Sequence, residues 1–140
     1  MPGPTHPDAA QRSVLVIDDE ETSQEIARML LEQMGFGDIV VVGDGAAALR
    51  ILDRRARPPD FVLCDIFMPD ADGIEMVTAL AARQFKGGLV LVTGGDTQYL
   101  VIAKRIARFH GLKLLASLNK PLRAQTLSDA LFGPAVDERS

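Results

Sequence analysis

The chain has 140 residues, of which 47% are hydrophobic and 24% charged, and its formal net charge is −4. This length suits one domain with a substantial core, and the composition is ordinary for a soluble globular protein. The acidic balance gives no basic surface for nucleic acid, the single cysteine excludes an internal disulfide, and no apolar run is long enough to span a membrane. Because the amino terminus carries no apolar signal segment, we expect a cytoplasmic protein.

The two ends of the chain differ in composition from its middle. Residues 1–12 are rich in proline and small polar residues, which predicts a disordered lead-in. Residues 133–140 begin with Gly-Pro and predict a frayed tail. Residues 13–132 therefore predict a single domain, and they contain no internal repeat or low-complexity segment.

Strand-like and helix-like patterns alternate five times through this domain. Short apolar runs predict strands over residues 14–17, 39–42, 61–64, 89–92 and 113–118. Apolar residues at helical spacing follow each run, and the first helix, over residues 21–34, is expected to stop at Gly35. Asp96 is placed to cap the fourth helix and Gly111 to end it.

Alternation of this kind predicts an α/β fold, with a parallel sheet and helices on both faces, because each right-handed crossover between parallel strands contains a helix. The strands are expected to be buried on both sides, which explains why they read as continuous apolar runs. Ligands of such sheets bind outside the carboxyl ends of the strands. We therefore expect the functional residues directly after the strands.

Reactive side chains follow four of the five predicted strands. In chain order they are the acid pair Asp18-Asp19, the single acid Asp65, the hydroxyl of Thr93 and the ammonium of Lys120. Three carboxylates within about 4–5 Å of one another repel by about 3–4 kcal/mol a pair at an effective dielectric near 20, and a divalent cation removes that cost. Oxygen ligands suit Mg²⁺, so the set predicts a site that accepts a phosphoryl group.

Four segments together resemble the receiver domain of two-component response regulators. They are Val-Leu-Val-Ile-Asp-Asp-Glu at 14–20, Asp-Ile-Phe-Met-Pro-Asp-Ala-Asp-Gly at 65–73, Val-Thr-Gly at 92–94 and Lys-Pro-Leu at 120–122. The resemblance covers about residues 13–132. It implies a single doubly wound, flavodoxin-like domain with a five-stranded parallel sheet, strand order 2-1-3-4-5, and five helices.

The resemblance implies a role for each matching side chain. Asp65 is the implied phospho-acceptor, Thr93 the switch hydroxyl, and Lys120 the ammonium that contacts the phosphoryl group. Asp19 is the implied direct ligand of Mg²⁺, and Asp18 its partner acting through water.

Three further expectations follow from the same resemblance. The carboxylate of Asp65 and the backbone carbonyl of Phe67 complete the implied metal ligands. The peptide bond between Lys120 and Pro121 is expected to be cis, since proline lowers the preference for trans. The family usually carries an aromatic residue three positions before the lysine, where this chain has Ser117. The aromatic output switch of the family is therefore not expected in its usual form.

The implied function is a signalling module rather than an enzyme. A partner histidine kinase or phosphotransfer protein would donate a phosphoryl group to Asp65, and the response of Thr93 would alter a partner-binding face. The face formed by the fourth helix, fifth strand and fifth helix is expected to bind a downstream protein or to form a homodimer, with no nucleic acid or membrane partner. Only a short tail follows Leu131, so another protein, or a further part of a longer chain, is expected to read the signal.

Two alternatives share parts of this pattern. A magnesium-dependent phosphatase of the haloacid dehalogenase type also uses an aspartate at a strand end, but it places a second acid two residues later, where this chain has Phe67. A flavin-binding domain of the same topology would need a Ser/Thr-rich phosphate loop after the first strand. Here that loop begins with Asp18-Asp19 and would repel a phosphate in the absence of a metal.

Overall fold

The computed structural model describes residues 6–67, 73–95 and 97–133. The strands are β1 (Ser13–Ile17), β2 (Asp38–Val42), β3 (Phe61–Asp65), β4 (Gly88–Thr93) and β5 (Lys113–Asn119). The α-helices are α1 (Glu21–Met34), α2 (Gly45–Arg54), α3 (Gly73–Ala82), α4 (Thr97–Phe109) and α5 (Ala124–Phe132). The predicted fivefold alternation of strand and helix is confirmed.

All five strands are parallel, in the order β2-β1-β3-β4-β5. This order confirms the predicted doubly wound, flavodoxin-like sheet. The three central strands are buried along their whole length, whereas β2 and β5 are only partly buried. The prediction that every strand is covered on both sides is therefore wrong for these two. They form the edges of the sheet, where the flanking helices cover them incompletely.

Two apolar layers enclose the sheet. One packs the sheet against α2, α3 and α4 through residues such as Ala48, Leu80 and Ala107. The other packs the opposite face against α1 and α5 through residues such as Leu31 and Leu127. Because both faces are apolar, the polar chemistry of the domain is confined to the two ends of the strands.

The ends of the helices follow the expected chemistry where the structure describes them. Gly35 adopts a left-handed conformation with φ of 107° after α1, and Gly111 has φ of 74° after α4. The side chain of Asp44 accepts a hydrogen bond of 2.7 Å from the backbone N–H of Ala47 and so caps α2. The predicted cap at Asp96 lies outside the described residues.

The segment before β1 differs from the predicted disorder of residues 1–12. Residues Ala9–Gln11 form a short 3₁₀ turn, with Ala9 fully buried. The backbone N–H of His6 donates to the carbonyl of Met34 at 2.9 Å, and the imidazole ring stacks on Phe132 with a centroid distance of 3.7 Å. Aromatic surface from distant parts of the chain holds a segment whose own composition is typical of disorder. Residues 1–5, and residues 134–140 of the predicted tail, lie outside the described residues. Within the described part of the chain, every helix is too short or too polar to cross a membrane.

Candidate functional site

The acidic residues meet at the carboxyl ends of β1 and β3. These strands are parallel neighbours in which Ile17 pairs with Cys64, so the residues that follow lie side by side. Carboxylate oxygens of Asp18, Asp19 and Asp65 all lie within 4.8 Å of one another. Asp18 and Asp65 are only 6% and 4% exposed, whereas Asp19 is exposed. The predicted acidic pocket is therefore present, with one carboxylate facing solvent.

Local hydrogen bonds orient the two buried carboxylates. The Oδ1 atom of Asp18 accepts from the backbone N–H of Glu20 at 2.9 Å, and its carbonyl accepts from the side-chain amide of Gln24 at 2.5 Å. The Oδ1 atom of Asp65 accepts from the backbone N–H of Phe67 at 3.2 Å. Both acids therefore keep their Oδ2 atoms for other partners.

Lys120, directly after β5, supplies those partners. Its Nζ atom lies 3.1 Å from the Oδ2 of Asp18 and 3.1 Å from the Oδ2 of Asp65. Its backbone N–H donates to the carbonyl of Thr93 at 2.9 Å, which ties the ends of β4 and β5 together. The peptide bond from Lys120 to Pro121 is cis, as expected.

Thr93 lies at the end of β4 and is 2% exposed. Its Oγ1 atom accepts from the backbone N–H of Gly95 at 3.2 Å. Within the residues that the structure describes, no hydrogen bond joins this hydroxyl to the acidic cluster. Four of the five predicted side chains thus form one contact network, and the fifth is held beside it on the neighbouring strand end.

The pKa values in the pocket reflect burial opposed by ion pairing. Burial raises the pKa of Asp65 above its ordinary value, and the hydrogen bonds from Lys120 and Phe67 only partly offset this. Burial lowers the pKa of Lys120, but its hydrogen bonds to Asp65 and Asp18 outweigh that effect, so the pKa is raised overall. Lys120 therefore stays charged at neutral pH, and its hydrogen bond only partly offsets the burial of Asp65.

The acidic cluster faces a cleft of about 450 Å³. Its lining includes Asp19, Asp65, Phe67, Gly94 and Lys120. The cleft also holds Glu20, which sequence reasoning included in the first motif without a role. The arrangement can hold a hard cation against three carboxylates and leave room for a phosphoryl group next to the ammonium of Lys120.

One feature of the cleft escaped sequence reasoning. The side chain of Phe67 is 60% exposed and its ring meets Tyr99 of α4 edge to face, with a centroid distance of 6.1 Å. A contact between residues so far apart in the chain leaves no signal in local periodicity. It links the loop after Asp65 to the first turn of α4.

Comparison with known proteins places the chain in a family. The family model described as the response regulator receiver domain matches residues 14–132. The chain therefore belongs to the family of response regulator receiver domains, which are phospho-accepting signalling domains of two-component systems. The predicted fold and function are confirmed, and the haloacid dehalogenase alternative finds no support.

Individual relatives agree with this assignment. The chain is 28% identical to the probable chemotaxis protein CheY of Rhizobium etli over 89% of this chain and 95% of that protein. It is also 28% identical to the alkaline phosphatase synthesis transcriptional regulatory protein PhoP of Bacillus subtilis, over 63% of this chain but only 35% of the relative. A crystal structure of a response regulator receiver domain protein from Clostridium thermocellum matches with a TM-score of 0.73 and 27% identity, covering 86% of this chain and 90% of that one.

Proposed function

We propose that this chain receives a phosphoryl group on Asp65, with Mg²⁺ held by Asp18, Asp19, Asp65 and the backbone carbonyl of Phe67. The observation that carries the proposal is the packing of three carboxylates within 4.8 Å beside one ammonium group. Their formal charges sum to −2, which a divalent cation neutralises. Hard carboxylate oxygens are the ligand type that Mg²⁺ prefers, so the residues present fit the ion. The bound ion would neutralise charge on the transferring phosphoryl oxygens.

The transfer assigned to Asp65 is an in-line displacement. A carboxylate oxygen of Asp65 attacks the phosphorus of a phosphohistidine, a phosphorus–oxygen bond forms, and the phosphorus–nitrogen bond breaks with its electrons returning to the imidazole. An ammonium group has three donors, and two of those on Lys120 point at Asp18 and Asp65. The third donor, and the one released when Asp65 becomes an acyl phosphate, are available to the phosphoryl oxygens.

Thr93 is assigned the role of conformational switch. Its hydroxyl would exchange the hydrogen bond from Gly95 for one to a phosphoryl oxygen, which would draw the loop between β4 and α4 toward the site. Gly94 and Gly95 offer that loop little steric resistance, since no other part of the described structure lies within 4 Å of either Cβ position. The contact between Phe67 and Tyr99 gives a second connection from the site to α4.

The partners follow from this chemistry. The donor is a phosphohistidine on a histidine kinase or phosphotransfer protein. The reader of the signal binds the face formed by α4, β5 and α5, or a second copy of the chain does so. This face suits a partner because α4 exposes Val101, Ile102 and Phe109, the last of them 85% exposed. We also propose residues 13–132 as the bounds of the domain, and that it does not turn over external substrates, because Phe67 stands where a phosphatase would need an acid.

Incubation with acetyl phosphate and Mg²⁺ tests the proposal. Intact mass spectrometry should show one added phosphoryl group, labile to hydroxylamine, and peptide mapping should place it on Asp65. The adduct should vanish in Asp65→Asn or on chelation of the metal, and persist in the control Asp129→Asn. Continuous release of phosphate over many turnovers, or a modification that survives Asp65→Asn, would contradict it.

A further inference from the structure

A second polar cavity, of about 200 Å³, lies at the opposite end of the sheet from the acidic pocket. Three arginines and two aspartates line it together with the first residue of β1, namely Arg12, Arg55, Arg57, Asp38, Asp60 and Ser13. Ser13 and Asp38 begin their strands, whereas the acidic pocket follows the carboxyl ends. The two sites are therefore separated by the length of the strands.

Two of the residues that line this cavity, Ser13 and Asp60, hydrogen-bond to each other. The backbone N–H of Ser13 donates to the Oδ2 of Asp60 at 2.8 Å, and the backbone N–H of Asp60 donates to the carbonyl of Ser13 at 3.0 Å. The carbonyl of Asp60 also accepts from the backbone N–H of Gly88 at 2.9 Å. The start of three strands is thus tied together, so the shape of the cavity is set by the sheet itself.

The charges around the cavity are unbalanced in the positive direction. Asp38 is paired with the guanidinium of Arg55 at 2.5 Å, and Asp60 is engaged by the backbone of Ser13. In the part of the chain that the structure describes, Arg12 and Arg57 form no ion pair. Three cations against two carboxylates leave a net charge of +1 here, in a chain whose total is −4.

Arg55 contributes a hydrogen-bond donor that is left unsatisfied among the described residues. Its Nη1 atom is buried and has no hydrogen-bond partner among the described residues. A buried donor without a partner destabilises the folded state, and in native structures it often marks the place of a water or an ion. Because solvent does not reach this atom, an acceptor oxygen in the neighbouring cavity would bond it only after the guanidinium turned toward the cavity.

We propose that this cavity binds a phosphate group, either free or as the monoester of a small molecule. Arg12 precedes β1, whereas Arg55 and Arg57 lie in the loop between α2 and β3, so the donors come from two separate parts of the chain. Such a set suits a tetrahedral oxyanion with several acceptor oxygens better than a planar carboxylate. A volume of about 200 Å³ is smaller than pockets for drug-sized ligands, which favours a small anion. The inference is independent of the function proposed for Asp65.

Titration of the ¹⁵N-labelled chain with inorganic phosphate, followed by NMR at constant ionic strength with EDTA present, tests the site. Saturable shifts are expected at the amides of Ser13, Asp38, Asp60 and residues 55–57. The double variant Arg12→Gln/Arg57→Gln, which alters two exposed side chains, should raise the Kd by at least about tenfold, the loss of roughly one charge-assisted hydrogen bond. The matched control Arg105→Gln/Arg108→Gln on α4 changes the net charge equally and should leave the Kd unchanged.

Further arms identify the source of the phosphate and separate the two sites. Adenosine monophosphate that binds where adenosine does not would assign the site to phosphate esters, whereas binding of inorganic phosphate alone would assign it to the free ion. Asp65→Asn should leave the titration unchanged, so failure of one proposal does not imply failure of the other. Shifts that never saturate, that centre on Asp65 and Lys120, or that weaken equally in both arginine variants would overturn the proposal.

Discussion

The Nζ atom of Lys120 lies 3.1 Å from the Oδ2 of Asp65, at the end of a strand that is not a neighbour of β3 in the sheet. The ammonium reaches across the end of β4 to do so, and it contacts Asp18 at the same distance. It is thus the one cation within 4 Å of these two buried acids among the residues that the structure describes. The charge balance of the pocket depends on it until a metal binds.

Replacement of Lys120 by glutamine should therefore destabilise the metal-free protein. Two buried carboxylates would lose their shared cation, at a cost of about 2 kcal/mol, below the usual range for fully buried pairs because the lysine side chain is 22% exposed. Urea unfolding in EDTA measures the difference in the free energy of unfolding between Lys120→Gln and wild type. This difference should become smaller at saturating Mg²⁺, because the ion supplies the missing positive charge. Lys113→Gln, an exposed lysine on the same strand, is the control and should change the stability by less than about 0.5 kcal/mol. Equal stabilities of Lys120→Gln and wild type in EDTA would contradict this account.

Asp65→Asn should have the opposite effect in EDTA. Because burial raises the pKa of Asp65, the folded state binds its proton more tightly than the unfolded state does, and ionisation at neutral pH costs folding free energy. The asparagine variant avoids that cost, so it should unfold at higher urea concentration than wild type at pH 8. The advantage should shrink as the pH falls through the raised pKa toward the ordinary value of 3.8.

Addition of Mg²⁺ at pH 8 should make the wild type more stable than Asp65→Asn. The ion stabilises the folded wild type in proportion to its binding, whereas the variant has lost a ligand. Chemical denaturation with and without the ion supplies both comparisons. A wild type that is already the more stable protein in EDTA at pH 8 would show that the carboxylate is not under electrostatic stress.

Gly73, the first residue of α3, should not tolerate a side chain. A Cβ atom there would lie 2.7 Å from the Cα of Ile66 and 3.1 Å from its carbonyl oxygen, to which the N–H of Gly73 already donates at 2.7 Å. Gly73→Ala must displace the backbone next to Phe67, so we expect a loss of about 1–3 kcal/mol in stability and weaker Mg²⁺ binding. Gly37→Ala is the matched control, because nothing lies within 4 Å of its Cβ position. Equal stability and metal affinity of the two variants would contradict the prediction.

The lifetime of the phosphorylated protein should depend on Phe67. Neither its ring nor Gly95 offers a hydrogen bond to a water near Asp65, so we expect slow hydrolysis, with a half-life well beyond seconds. Phe67→Asn supplies such a group and should accelerate loss of the phosphoryl group by about tenfold, measured by mass spectrometry after removal of the donor. Phe67→Leu also removes the ring contact with Tyr99 but adds no polar group. An equal acceleration in the leucine variant would assign the effect to that contact instead.

The acidic pocket was predictable because the topology of a parallel sheet determines where its residues lie. Asp18, Asp19, Asp65 and Lys120 each follow a strand, and the carboxyl ends of parallel strands share one edge, so their proximity required no knowledge of side-chain packing. The order of the strands came from the family resemblance, since alternation alone does not specify which strands are neighbours. The partial exposure of β2 and β5 follows from that order and not from their apolar sequences.

Contacts between distant segments were the ones that sequence reasoning missed. Residues 6–12 are mostly small and polar, yet the ring of His6 stacks on Phe132, which in turn packs against Phe36 and Phe61. Local composition carries no information about a surface assembled from three other parts of the chain. The cavity lined by Arg12, Arg55 and Arg57 is hidden in the sequence for the same reason.

The stacking of His6 on Phe132 also has a practical consequence for handling this domain. Phe132 contacts Phe61, which is the first residue of β3, whereas Asp65 is the last. Both described chain ends therefore lie at the end of the sheet opposite to Asp65. Fluorophores placed near residues 6 and 133 would report on each other by energy transfer while leaving the mouth of the acidic cleft unobstructed.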